Sequence, residues 1–243
     1  MWPLSFKAKP VASNASAPQG LWHWLPSRCA ICQDWPHPPV CEVCITHFAQ
    51  PQNRCPQCAL PWAHAGRPCP ACQNQAPPLD LCLAAVTYAW PWVDLIARFK
   101  FQQQAGWSHA LATLMISTPW AEDILDKADR VLPIPLSAQR LALRGYNQSW
   151  ELAKQLSPHK ADVQMLLRTR DTPSQRQLPR HERLANLVGA FAVEPLRAAQ
   201  LRGKRVVLVD DVMTTGASLH SAALVLRQAG AAHISALVLA RTE

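Results

Sequence analysis

Eight of the nine cysteines stand in four CxxC pairs: Cys29/Cys32, Cys41/Cys44, Cys55/Cys58 and Cys69/Cys72, separated by 8, 10 and 10 residues. Nothing else in the chain restricts its folding as tightly. Residues 26–82 are rich in proline and carry eight aliphatic or Phe positions (Ile31, Val40, Val43, Ile45, Phe48, Leu60, Leu79 and Leu81). That is too little apolar surface to offset the entropy of ordering the segment. Each CxxC offers two sulfurs to one ion, and two pairs complete a tetrahedron. Eight ligands therefore make two closed four-cysteine sites with no position left for water, so the metals are expected to be structural and to fold the segment. Zinc is the expected ion; rubredoxin-like iron or an iron–sulfur cluster is the other occupant such ligands admit. The first residues, MWPLSFKAKPVASNASAPQG, lack the apolar run of a secretory signal, which favours metal over disulfides. Sequential and interleaved pairing of the CxxC units both fit the spacing. Cys82 opens an apolar run and reads as a core residue.

Residues 1–25 read as a flexible leader, 26–82 as a double zinc ribbon, and 83–243 as a separate domain. In that domain AAVTYAW (84–90), RVLPIPL (130–136), AFAV (190–193), RVVLV (205–209) and ISALVLA (234–240) read as strands. Residues 92–103, 106–117, 147–156 and 218–230 have helical periodicity, the last ending at Gly230. Strands alternating with helices imply an α/β domain with a mainly parallel sheet flanked by helices. No apolar run of about 18 residues is present, so no membrane span is expected, and the chain is expected to be cytoplasmic.

Residues 205–219, RVVLVDDVMTTGASL, hold the richest chemistry. A buried-strand run ends in Asp210 and Asp211, and a turn of Thr214, Thr215, Gly216, Ala217 and Ser218 leads into a helix. Free amides in such a turn, at a helix N-terminus, form an anion site. The two carboxylates repel a phosphate but suit hydroxyls or hydrated Mg²⁺ beside it. A sugar phosphate satisfies both halves. No GxxxxGK[ST] sequence is present, so a P-loop nucleotide site is not supported.

A second constellation, PIPLSAQRLALRGYNQ, covers residues 133–148. Arg140 and Arg144 lie four apart and share one helical face. Two guanidiniums there suit a polyphosphate, which they grip in bidentate fashion. Lys100, in ARFKF, either reaches the same phosphates or lies along its own helix. The net charge is +8, and residues 140–205, with 13 Lys/Arg against 5 Asp/Glu, hold all of it. That balance favours a polyanionic substrate or nucleic acid. Within it, RTRDTPSQRQLPRHER (168–183) reads as a loop over the site, with Arg176, Arg180 and Arg183 facing phosphates or nucleic acid.

The 205–219 segment resembles the phosphoribosyl-pyrophosphate (PRPP) loop of type I phosphoribosyltransferases. The order of CxxC pairs, RFKF, RxxxRGYNQ, RTR with its basic loop, and VVLVDDVMTTGAS is similar to the ComF/GntX family over roughly residues 26–243. The resemblance implies a phosphoribosyltransferase fold behind a double zinc ribbon. It implies the ribose 5-phosphate at Thr214–Ser218, the ribose hydroxyls at Asp210 and Asp211, Mg²⁺ bridging pyrophosphate and ribose, and the departing pyrophosphate on Arg140 and Arg144. It further implies a part in DNA uptake, utilisation or competence, with single-stranded DNA and the DNA-uptake machinery as partners; the ten tryptophans would suit base stacking. An active phosphoribosyltransferase of nucleobase salvage or biosynthesis is the alternative the same motifs allow.

Overall fold

The computed structural model describes residues 27–102, 104–170 and 189–243. The leader and the loop arginines Arg176, Arg180 and Arg183 lie outside the described residues. The elements run α1 Glu42–Phe48, α2 Pro70–Asn74, β1 Leu81–Thr87, α3 Trp92–Phe101, α4 Ser108–Ile116, α5 Ala121–Lys127, β2 Arg130–Pro133, α6 Ala138–Arg144, α7 Gln148–Leu156, β3 Leu166–Arg168, β4 Phe191–Val193, β5 Arg205–Met213, α8 Ala217–Gln228 and β6 His233–Arg241.

Four strands form one parallel sheet in the order β1-β6-β5-β2. The central pair, β5 and β6, is nearly continuous in apolar residues because helices cover both faces. On one face Val131, Val207, Val209, Leu237 and Leu239 pack with helices α3, α4, α5 and α7. On the other, Leu132, Val206, Leu208, Ile234 and Ala236 pack with α8 and the β3–β4 hairpin. The edge strand β1 buries only alternate residues.

Two expectations differ from what is found. Residues 190–193 do not join the main sheet: β4 pairs antiparallel with β3, Leu167 opposite Ala192, in a two-stranded sheet of its own. Its buried Phe191 is part of the core around α8, so a local partner and one apolar side chain settle its place. The strand at 205–209 does not stop at the acids. It continues to Met213 because β6 extends alongside it, with Asp210 opposite Val238 and Met213 opposite Arg241. The acids therefore sit on paired backbone rather than in a turn. Cys82 is buried core as expected, its Sγ 3.5 Å from Met213 Sδ. No helix among the described residues is long and apolar enough to cross a membrane.

Candidate functional site

The CxxC pairs combine sequentially. Cys29, Cys32, Cys41 and Cys44 converge, as do Cys55, Cys58, Cys69 and Cys72, with all sulfurs of a set within 4.8 Å of one another. A tetrahedral ion with Zn–S of about 2.3 Å places its sulfurs about 3.8 Å apart. The distances Cys29–Cys44 (3.8 Å), Cys32–Cys41 (3.7 Å) and Cys58–Cys69 (3.7 Å) agree. Main-chain N–H groups point at the sulfurs: Cys41 N–H donates to Cys29 at 3.4 Å and Cys69 N–H to Cys55 at 3.3 Å. Burial alone would raise the first thiol of each set, but these amides outweigh it and bring Cys29 down to about 6 and Cys55 to about 7. Burial, then the neighbouring sulfurs, push the Cys44 and Cys72 thiols up. The two sets fit a double zinc ribbon.

At the carboxyl ends of β2 and β5 the second site assembles, where ligands gather on parallel sheets. The RGYNQ segment is the joint that builds it. Gly145, at φ +78°, ends α6 in the left-handed conformation. Tyr146 packs on Phe99 and its hydroxyl donates to the Phe99 carbonyl. Asn147 accepts from the Ser149 and Trp150 amides, capping α7, while its own amide donates to the Ile134 carbonyl at 3.1 Å. That cap seats Ser149, whose hydroxyl donates to Asp210 Oδ1 at 2.9 Å. Ser149 carries no sequence signal for this role; only the cap before it, read in three dimensions, reveals it.

Asp210 is half-buried, with its carboxyl held against the buried Ser149. Burial, then the adjacent Asp211 charge, push it up to about 7, against the opposing pull of Lys100 and Ser149. Lys100 Nζ lies 2.9 Å from Asp211 Oδ1, both side chains largely buried. Lys100 is thus paired with the second acid. Arg140 and Arg144 share α6, as their spacing predicts. Arg144 donates to Gln148 Oε1 at 2.8 Å and stacks its guanidinium over Phe101, 5.3 Å from the ring centre.

Beyond β5 a small concavity runs from Asp210 over Thr214, Gly216 and Ser218. Gly216 caps α8 at φ +81°. A Cβ there would fall 2.5 Å from Met213 Cε and 2.8 Å from His220 Nε2, so any other residue would be strained by the backbone and would have to displace these side chains. Thr215 Oγ1 accepts the Ala217 amide at 3.4 Å. His220 Nε2 is buried without a hydrogen-bond partner among the described residues. Burial, then the nearby Arg241 charge, bring this imidazole down to about 4, so it is neutral at pH 7. A larger apolar cleft, about 330 Å³, lies elsewhere, between the 49–56 segment, the β1 edge and Trp120, and contains no carboxylate.

The phosphoribosyl transferase domain family matches residues 141–243. DNA utilization protein YhgH of Escherichia coli K12 is 32% identical over 227 residues, covering 90% of this chain and 98% of that protein. The chain belongs to the ComF/YhgH family. Competence protein F of Haemophilus influenzae is also 32% identical, over 77% of this chain and 84% of its own length. Competence protein ComFC of Bacillus subtilis is 32% identical over 64% of this chain and 62% of its own. In this ComF-family chain the two four-cysteine sets precede the phosphoribosyltransferase-like sheet domain.

Proposed function

We propose that the chain binds PRPP, or a related ribose 5-phosphate, at the end of β5, as part of the handling of DNA that its relatives' names describe. The observation that carries this reading is the acid pair Asp210–Asp211 followed, across one short turn, by left-handed Gly216 at the start of α8. The 5-phosphate would take the amides and hydroxyls of Thr214–Ser218. The ribose hydroxyls would displace Ser149 and Lys100 from the acids, or share them. Asp210 and Asp211 would help hold hydrated magnesium, which would supply neutralising charge for the pyrophosphate. Arg140 and Arg144 would grip the pyrophosphate, with Phe101 steadying the second guanidinium. The positive charge concentrated in residues 140–205 would attract single-stranded DNA. Zinc in both four-cysteine sets holds the ribbon.

Calorimetry with PRPP and Mg²⁺ tests the reading: wild type binds, and Asp210→Ala weakens binding at least about tenfold. No heat and no binding in the wild type would remove the site.

A second reading, phosphoribosyl transfer, draws support from the match of residues 141–243 to the phosphoribosyl transferase domain family. Pyrophosphate release from PRPP with a nucleobase, lost in Asp210→Ala, is its test.

A further inference from the structure

Arg241, the last residue of β6, is almost completely buried. Its guanidinium lies between two sites that the sequence keeps far apart. Nε donates to the carbonyl of Cys58, a ligand of the second four-cysteine set, at 2.8 Å. Nη1 donates to the carbonyl of Met213 at 3.1 Å and to the carbonyl of Thr214. Met213 and Thr214 begin the turn that leads to Gly216.

Nη1 also donates to the Thr242 carbonyl and hydroxyl, and the Thr242 N–H donates to the Met213 carbonyl at 3.1 Å, so Arg241 and the end of β6 together bear on where the turn's amides point. In a trans peptide the C=O and the following N–H face opposite ways. With the Met213 and Thr214 carbonyls turned to Arg241, planarity of the trans peptide turns the amides of Thr214 and Thr215 away from it. Two successive amides turned the same way can form an anion nest. Oriented otherwise, the same peptides would present carbonyl oxygens, which repel phosphate. Arg241 also places a permanent positive charge beneath the loop.

The second four-cysteine set fixes the guanidinium from below. Its contacts with the sheet are several: Cys82 N–H donates to the Pro56 carbonyl at 2.7 Å, Arg54 bridges the Ala59 carbonyl and Thr87 Oγ1, both at 3.0 Å, and the four ligands share one core with Met213, Ala217 and Leu219. The first set packs instead in the core of α3, α4 and α7.

We propose that Arg241 is a positioning residue that couples the second four-cysteine set to the phosphate-binding turn, so that filling either site steadies the other. The proposal rests on the ribose-phosphate reading of that turn. Coupling of this kind is reciprocal: if the ordered cysteine set raises phosphate affinity, phosphate must steady the set by the same factor.

The test uses the full-length, zinc-loaded protein and ribose 5-phosphate as probe. Thiol alkylation is followed peptide by peptide by mass spectrometry, with binding measured by calorimetry in parallel. Saturating ribose 5-phosphate is expected to slow alkylation of Cys55, Cys58, Cys69 and Cys72 by about threefold or more, leaving the Cys29–Cys44 set unchanged. Arg241→Lys keeps the charge but loses the planar fork; it is expected to bind ribose 5-phosphate about tenfold more weakly and to lose the selective protection. Binding by the wild type with no protection, or equal protection of both sets, overturns the coupling and leaves the phosphate site standing. Absence of wild-type binding overturns both. The wild-type protection pattern decides the matter even if Arg241→Lys folds poorly.

Discussion

The two four-cysteine sets have the same ligands, similar spacing and matching sulfur distances, yet they serve the molecule differently. The first leans on α3 through one polar anchor, Trp92 Nε1 donating to the Phe48 carbonyl at 3.0 Å, and packs in the core that carries Lys100's helix. The second shares its core with the start of α8 and, through Arg241, holds the backbone of the turn before it. Identical metal chemistry thus gives one set an architectural position and the other a hold on the candidate site. What separates them is the element each meets, helix α3 for the first and strand β6 for the second, not the ligands.

The comparison breaks most readily at the metals. Protein purified without chelator is expected to carry about two zinc ions per chain, and serine at a single ligand of either set to lower that to about one. Cys58→Ser should also abolish ribose 5-phosphate binding, whereas Cys32→Ser, at the exposed ligand of the first set, should weaken it far less; equal losses would erase the distinction. Next in size is Gly216→Ala. The left-handed backbone and the contacts with Met213 and His220 predict a loss of roughly 1–3 kcal/mol in unfolding free energy and of measurable phosphate binding. Denaturant melts and calorimetry read the two effects separately.

Asp210→Asn sharpens the comparison through pH. The folded carboxyl titrates near 7, above its ordinary value of 3.8. The favourable contribution of the neutral acid is full below about 4 and is lost as pH rises through about 7. Asn is spared that loss. The variant should therefore melt higher than wild type at pH 8, and the gap should close at pH 4. Cation binding favours the ionised acid, so Mg²⁺-dependent PRPP affinity of the wild type should climb through pH 7. A flat profile would remove Asp210 from the cation's neighbourhood. The smallest effect on phosphate binding is expected from Trp92→Phe, which removes the anchor of the first set together with part of a buried indole. About 2–3 kcal/mol of stability should go, with ribose 5-phosphate affinity unchanged.

Local chemistry is legible from the chain because it depends on near neighbours in sequence. CxxC spacing lets both sulfurs of a pair reach one ion, and Gly216 after two threonines suits a turn at a helix start. The helix periods of residues 92–103, 106–117 and 218–230 likewise follow from which faces are apolar, whereas the first strand, read at 84–90, lies at Leu81–Thr87. The place of β4 outside the main sheet is not legible in this way, because its three residues carry too little pattern to specify a partner.

The eight ligands, the acid pair, the turn and a mainly parallel sheet are readable from the chain, since each is written in spacing or periodicity over a few residues. Tertiary structure alone decided that the pairs combine sequentially, that β5 runs on through its acids, that Ser149 and Lys100 hold them, and that Arg241 joins Cys58 to Thr214. These are contacts between segments distant along the chain. A buried guanidinium or hydroxyl is placed by which donors and acceptors the fold leaves unpaired, and no local pattern records that.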